Sequence, residues 1–181
     1  MRSEMILNRV ALTILSCAAL PLAADTSAKG EASVTLIHPI DIKKDTDLSF
    51  GGIVGDGKAG LAVLDLDGNL TCTDCKKDGA DRQSTGNFTI SGITKMHYQV
   101  QFDPTIDLKG PHGDSLNIKI STIRLNKVDE EIKAGGLFTS KSIAMPASGQ
   151  SELILAGSLQ IPANAQGGEY KGPENVQVLI P

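Results

Sequence analysis

Apolar residues alternate with other residues along much of this chain, most clearly from residue 153 to residue 161. Leu153, Leu155, Gly157, Leu159 and Ile161 occupy every second position there. Strand side chains point alternately to two faces, so this spacing predicts a long strand with one apolar face. An apolar face of that length has to be covered, which predicts a second sheet packed against it.

Shorter segments of the same kind fill the rest of the chain. Their apolar and β-branched positions, bounded by glycine-containing turns, predict strands at residues 34–42, 48–54, 61–66, 70–72, 88–90, 96–102, 116–125, 136–139 and 176–180. The apolar alternation slips near Thr122. In another segment, Gly51 and Gly52 interrupt the strand pattern and suggest a bulge or a close backbone approach. Residues 67–69, Asp-Gly-Asn, predict a two-residue hairpin turn.

Four polar or turn-rich segments are predicted to be loops: residues 73–85, 104–114, 126–134 and 145–150. Short strands, frequent glycine turns and hardly any helical periodicity predict an all-β fold, an antiparallel β-sandwich. The chain has 181 residues, a length that suits one domain with a short leader. We assign residues 25–32 to a flexible leader and residues 33–181 to a single sandwich domain.

Residues 1–24 have the three parts of a signal peptide. Arg2 and Arg9 form a positive region before an apolar run at residues 10–22. Ala23 and Ala24 follow as a small-residue cleavage site. The run is shorter than the roughly 20 residues needed to span a bilayer. The sequence therefore predicts an exported chain without a membrane span, located in the periplasm, at the cell surface or outside the cell. The alternative is a lipid on Cys17, because residues 14–17 loosely resemble a lipoprotein signal.

Removal of residues 1–24 leaves 15 basic and 20 acidic side chains, a net charge of −5. This excess of acid repels phosphate backbones. Two tyrosines, four phenylalanines and no tryptophan offer few stacking surfaces. The composition therefore predicts no nucleic-acid partner, and it predicts a core built largely of aliphatic side chains.

Cys72 and Cys75 are the cysteines that remain after this cleavage. A pair in an exported chain predicts a disulfide, which here would clamp a small loop. A redox dithiol is an alternative, but it usually stands at a helix N-terminus, and this pair follows a strand and a hairpin. Structural zinc is another alternative, but it needs about four ligands, and the sequence has no second such pair.

Two further motifs resemble sites of known chemistry. Residues 65–69 begin like a calcium loop, but glycine is fourth rather than sixth, and Lys76 stands where a glutamate is needed. Residues 112–115 contain histidine, aspartate and serine, but residues so close in sequence rarely form a hydrolytic triad. His38 and His97 are isolated. We expect turns at both motifs, no catalytic residue, no cofactor, no metal and no enzymatic activity.

Five motifs occur in an order that resembles a family of exported bacterial proteins: Leu48-Ser49-Phe50-Gly51, residues 86–92, Tyr98-Gln99-Val100, residues 155–159 and residues 167–172. The resemblance covers about residues 32–180. The family is domain of unknown function number four-four-zero-two, whose members are similar to pilin-like β-sandwiches. The resemblance implies an immunoglobulin-like or pilin-like sandwich from a Gram-negative bacterium, used as a subunit of a surface fibre.

Two features depart from the family pattern. The loop between Cys72 and Cys75 is additional, and the chain ends in Leu179-Ile180-Pro181 where the family pattern has an aromatic-tipped closing strand. If assembly of pilins depends on such a strand, the second departure weakens the pilin interpretation specifically. The family carries no catalytic residues to transfer.

The first predicted function is an exported structural or adhesive subunit that associates by β-strand complementation. A strand from one copy would pair with a sheet edge of the next, with its alternate side chains in pockets. Both ends of the chain have the required alternation, and the candidate residues are Val34, Leu36, Ile42, Val176, Val178 and Ile180. Partners would be copies of the protein or related subunits, with a periplasmic chaperone.

The alternative function is a monomeric periplasmic or surface binding module. Its ligand would be held by the predicted loops at residues 72–83 and 104–114, because exposed loops on a rigid scaffold often carry binding sites. In that case the terminal strands would simply complete the protein's own sandwich.

Overall fold

The computed structural model describes residues 29–34, 39–80, 82–132 and 136–181. The chain divides into two units at residues Leu36 and Ile37, and the second unit, Ile37–Pro181, contains the strands. Residues 29–34 have no regular secondary structure. The predicted signal peptide and Cys17 lie outside the described residues, so the cleavage site, the lipid alternative and the domain start at residue 33 remain predictions.

The described residues form sixteen β-strands, no helix, and only antiparallel strand pairs. This confirms the predicted all-β antiparallel fold. No helix long and apolar enough to cross a membrane occurs in these ranges. The strands are β1 Ile40–Thr46, β2 Ser49–Phe50, β3 Ile53–Gly55, β4 Gly60–Leu64, β5 Leu70–Thr73, β6 Cys75–Lys77, β7 Gln83–Ser84, β8 Gly86–Gly92, β9 His97–Phe102, β10 Thr105–Lys109, β11 Ser115–Leu125, β12 Val128–Glu131, β13 Phe138–Thr139, β14 Ile143–Ala144, β15 Gln150–Ile161 and β16 Val176–Leu179.

The longest strand, β15, organises the large sheet. One edge of β15 pairs with β11, while the other pairs with β8 over its first half and with β4 over its second half. Strand β11 carries β10 and β12 on its outer edge, β8 carries β1, and β4 carries β5. All other strands of this sheet are therefore positioned by β15 directly or through one neighbour.

The apolar face predicted for β15 is confirmed. Leu153 and Leu155 are fully buried, and Leu159 is nearly so. A Cβ atom on Gly157 would stand only 2.3 Å from the carbonyl oxygen of Lys119 on β11, so glycine permits the close approach of the two strands. The pairing register shifts between Ile120 and Thr122, where the apolar alternation of the sequence also slips.

A smaller sheet is built around β9. Its residues Gln101 and Phe102 pair both with β16 and with β13, so these two strands lie on opposite edges of β9, and β14 pairs near the start of β9. Tyr98, Val100 and Phe102 share one hydrophobic cluster with the apolar faces of β8, β11 and β15. The two sheets therefore enclose a common core, a sandwich-like arrangement.

Three of the loop predictions are partly wrong. Each of these segments contains short strands, which were not predicted because their turn-forming or charged residues are typical of loops. Residues 104–114 include β10, whose five residues are flanked by proline and glycine. Residues 126–134 include β12, which is acidic and pairs with β11 through its backbone. Residues 73–85 include β6 and β7, which pair with β3 and β2.

Two other boundaries also differ from the prediction. The first strand was predicted at residues 34–42, of which 35–38 lie outside the described residues; β1, Ile40–Thr46, continues past the predicted end because its charged residues pair with β8 through their backbone. The hairpin between β4 and β5 is confirmed, but its turn is longer than two residues. The N–H of Asp65 donates to the C=O of Asn69 (3.0 Å), which leaves three residues in the turn, with Gly68 at a φ of 82°.

The contact between β15 and β11 gives the first testable prediction. Gly157→Ala is expected to lower the free energy of unfolding by about 2 kcal/mol or more, because the added methyl group meets backbone atoms that cannot move aside. The matched control is Gly167→Ala, where no atom lies within 4 Å of the new Cβ. Urea unfolding measures both variants, and an equal effect of the two substitutions would contradict the assigned packing.

Candidate functional site

A groove with a volume of about 870 Å³ opens over one end of the large sheet. Its floor is apolar and comes from β10, β11 and β15, with Ile106, Leu108, Leu116, Ile118, Leu159 and Ile161 as lining residues. Each of the three strands contributes two of these residues, which stand two positions apart, so the two side chains point to the same face of the sheet. The floor is therefore the continuation of the core-facing side of the sheet.

Two segments form the walls of the groove. One wall contains β2 and β3, and the other contains residues 162–175, which connect β15 to β16 and are called the strap here. The sequence predicted a glycine turn in this connection. It did not predict that the connection runs along the edge of β10.

The strap is attached to β10 by its backbone. The N–H of Lys109 donates to the C=O of Lys171 (2.7 Å), and the N–H of Lys171 donates to the C=O of Lys109 (3.0 Å). The next residue, Gly172, lies so close that a Cβ atom on it would be 2.2 Å from the carbonyl oxygen of Asp107. Residues 171 and 172 therefore lie against the outer edge of β10.

A tyrosine fixes the strap to the turn between β10 and β11. The hydroxyl of Tyr170 donates to the carboxylate of Asp114 and lies 2.8 Å from the carbonyl oxygen of Gln166. The ring packs over Gly110, where a Cβ atom would stand 2.6 Å from it. The hydrogen bond to Asp114 raises the pKa of the Tyr170 hydroxyl, because it stabilises the protonated donor.

Glu174 fixes the other end of the strap. Its half-buried carboxylate accepts a long hydrogen bond from the N–H of Leu48 (3.5 Å), and among the described residues its second oxygen has no partner. That oxygen lies over Gly86, where a Cβ atom would be 2.3 Å away. Burial raises the pKa of Glu174; the Leu48 N–H and the charge of Lys44 oppose this rise.

A second pocket of about 530 Å³ adjoins the groove. It is lined by Ile42, Phe88 and Val176, and Lys44 and Glu174 line both spaces. Strands β1 and β16 border this pocket, and their Cα atoms approach within 8 Å, although no pairing joins them in the described ranges. Glu174 therefore stands where the two spaces meet.

The predicted disulfide between Cys72 and Cys75 is present, with a Cα separation of 5.3 Å. It joins the end of β5 to the start of β6 across Asp74, which has a φ of 52°. Strand β6 then pairs with β3, whose residue Ile53 lines the groove. The disulfide thus shapes the connection that supports one wall, and no helix follows it.

The N-terminal residues predicted for strand exchange lie in different settings. Val34 is 83% exposed, Leu36 lies outside the described residues, and Ile42 pairs with Ile90 in β1 and β8. Of these three residues, Val34 is described by the structure and lies outside every strand.

The C-terminal residues predicted for exchange lie in or just after β16. Val176 and Val178 pack against the core of their own chain, and Ile180 is 51% exposed. The strand pairs with β9 of the same chain. Nothing in this pairing tests exchange between copies, which remains a prediction.

The remaining motifs serve turns. Residues 112–115 lie at the turn between β10 and β11, where Asp114 binds Tyr170. Asp65 accepts hydrogen bonds from the N–H groups of Asp67 and Asn69 and from the Asn69 side chain, so its carboxylate stabilises the hairpin turn. No group of three metal-ligating side chains occurs among the residues that the structure describes.

The fold and the groove define an antiparallel all-β protein with a groove at one end of its large sheet, whose floor is apolar and whose walls carry polar and charged residues. A family model, Domain of unknown function (DUF4402), matches residues 40–179, and the chain therefore belongs to this family. The match confirms the resemblance found in the sequence and includes the strands, the strap and the groove floor. No curated protein matches the chain.

Glu174 gives a prediction for the dependence of stability on pH. Its raised pKa means that the folded state keeps a proton which the unfolded state loses above the ordinary carboxyl value of 4.5. This contribution to stability is complete below that value and is lost as the pH rises through the folded-state pKa. Glu174→Gln, which stays neutral, is therefore expected to gain stability relative to the wild type as the pH rises.

Urea unfolding between about pH 4 and pH 8 measures this difference, using the shift in unfolding midpoint against the wild type. The control is Glu152→Gln, an exposed residue of β15. A Glu174→Gln variant whose advantage does not change with pH, or changes as in the control, would contradict the assignment.

Proposed function

We propose that this protein is an exported structural or adhesive subunit of a bacterial surface fibre, whose copies join by β-strand complementation. The groove is the observation that supports this proposal most. It places an apolar floor beside the outer edge of β10, and an edge strand next to apolar pockets is a surface to which another strand can add.

The spacing of the floor suits an extended chain. The two floor residues that β10, β11 and β15 each contribute stand two positions apart, about 6.6–6.8 Å along a strand. An added strand presents every second side chain to the same face with the same repeat. Backbone hydrogen bonds would then supply affinity, and the apolar pockets would select the sequence.

The N-terminal segment is the better candidate for the donated strand. At the other end of the chain, β16 already pairs with β9 and buries Val176 and Val178 in its own core. Val34 is exposed, and Val34 and Leu36 alternate with Ser33 and Thr35 before the apolar Ile37. We therefore assign residues 33–38 of one copy to the groove of the next copy.

Export and the disulfide fit this role. The predicted signal peptide would direct the chain to an oxidising compartment, where a disulfide such as Cys72–Cys75 persists. A periplasmic chaperone would protect the groove before assembly. The proposal assigns no catalytic chemistry and no cofactor.

The second candidate, a monomeric binding module, would use the groove rather than the predicted loops. Part of the 104–114 segment is a strand, and the groove volume of about 870 Å³ lies within the 300–1,000 Å³ of small-molecule sites. If the groove binds a soluble ligand, the N-terminal segment does not join one copy to the next. The following experiment therefore tests whether this segment is needed for self-association.

The test is self-association of the chain that starts at Asp25. The wild type is expected to form oligomers that survive detergent and dissociate on boiling, while the variant with both Val34→Asp and Leu36→Asp stays monomeric, because carboxylates cannot enter apolar pockets. Val128→Asp, at a residue 66% exposed on β12, is the control and should assemble as the wild type does. Sedimentation and unboiled gels measure the result.

Circular dichroism and thermal unfolding confirm that all three chains are folded. A wild type that remains monomeric at high concentration would contradict the fibre proposal and favour the binding module. Assembly of the double variant at the wild-type rate would contradict the choice of donor segment.

A further inference from the structure

We infer that the outer edge of β10 receives the donated strand, and that the strap occupies this edge until the strand displaces it. This inference rests on the proposed function and specifies which surface is used and how it is protected. It assigns the strap a role as a removable cover.

The backbone of β10 fixes which groups face outward. Lys109 directs both its N–H and its C=O to Lys171 of the strap, away from β11. In an antiparallel strand every second residue directs these groups to the same side. Asp107 and Thr105 therefore face outward with Lys109, and Ile106 and Leu108 bond to β11. The outward groups of three residues form the edge that another strand could use.

The strap uses only part of this edge. Lys171 forms an isolated bridge with Lys109, and Gly172 contacts the carbonyl oxygen of Asp107. The following residue, Pro173, has no N–H and cannot extend the ladder. Further along, the N–H of Thr105 is satisfied locally by the carboxylate of Asp103 at 2.8 Å. A donated strand could form the longer ladder that the strap cannot.

The attachments of the strap all lie within residues 168–174. They are the Lys109–Lys171 bridge, the hydrogen bond of Tyr170 to Asp114, the contact of Glu174 with Leu48, and the close contacts of Gly168 with Pro111, of the Tyr170 ring with Gly110 and of Gly172 with Asp107. The strap begins after β15 and ends at β16, which are both held by their own sheets. It can therefore leave the edge of β10 while the strands on either side stay paired.

The occupant that fits the uncovered edge is a second copy of this chain, through its residues 33–38. Displacement of the strap uncovers outward backbone groups of β10 and opens the apolar floor to Val34 and Leu36 of the incoming strand. Until then, the strap protects an edge strand that would otherwise pair with unrelated chains. The glycine and proline residues of the strap keep it from becoming a permanent strand.

The first test closes the strap with a disulfide. Hydrogen-bonded partners in an antiparallel pair have Cα atoms about 5.5 Å apart, a separation that a disulfide spans. The variant with Lys109→Cys and Lys171→Cys is expected to assemble at least tenfold more slowly than the wild type when oxidised, and to recover when reduced. Thr122→Cys with Glu131→Cys is the control, because it joins β11 to β12 through a non-hydrogen-bonded pair of neighbouring strands and leaves the strap free.

The second test loosens the strap and does not depend on new cysteines. Tyr170→Phe removes the hydrogen bond to Asp114 while keeping the ring over Gly110. This variant is expected to assemble several-fold faster than the wild type, with the same final oligomers. Light scattering follows the rate, and near-ultraviolet circular dichroism checks the fold of each chain.

The outcomes separate the two proposals. Wild-type chain that never assembles overturns the proposed function. Wild-type chain that assembles, together with an oxidised 109–171 variant that assembles equally fast, overturns the strap inference and leaves strand complementation in place. A Tyr170→Phe variant that is no faster than the wild type also overturns the strap inference. Slow assembly when closed and fast assembly when loosened support it.

Discussion

β15 pairs along both of its edges while burying Leu153, Leu155 and Leu159 on one face. Every other strand of the large sheet is attached to it directly or through one neighbour. Because the face is continuous, the small sheet and the groove share the same apolar surface. The hydroxyl of Tyr98 on β9 donates a buried hydrogen bond to Ser151 at the start of β15, and Leu159 and Ile161 at its other end line the groove.

An apolar surface beside an exposed edge strand promotes pairing with unrelated chains, and in this protein the strap covers that edge. The strap lies on the outer edge of β10 through Lys171 and Gly172, and Tyr170 and Glu174 hold its two ends. Such a cover prevents uncontrolled pairing, and it can be exchanged because its bonds are few. The same geometry therefore accounts for a stable free chain and for the proposed association of copies.

Much of the fold could be predicted from residue patterns, but the groove could not. In β9, β15 and β16 apolar residues occupy every second position, and no charged residue lies on the apolar face. Cys72 and Cys75 are close in sequence, so their pairing could also be predicted. Strand β10 was missed because proline and glycine flank its two apolar residues, although Ile106 and Leu108 alternate. The groove floor combines the β10–β11 hairpin with β15, which is distant in sequence, and only the pairing register of β11 with β15 brings them together. Tyr170 lies in the 167–172 motif, but the sequence predicted neither its role nor that of Glu174, since both roles depend on bare backbone at Gly110 and Gly86.

Amide hydrogen exchange, measured residue by residue on the free chain and on assembled oligomers, tests the central claim most directly. In the free chain, the amide of Lys171 is bonded to β10, whereas the amide of Asp107 faces outward. If copies join at this edge, the Asp107 amide becomes strongly protected on assembly and the Lys171 amide loses its protection. Oligomers in which both amides exchange as in the free chain would contradict strand addition at β10.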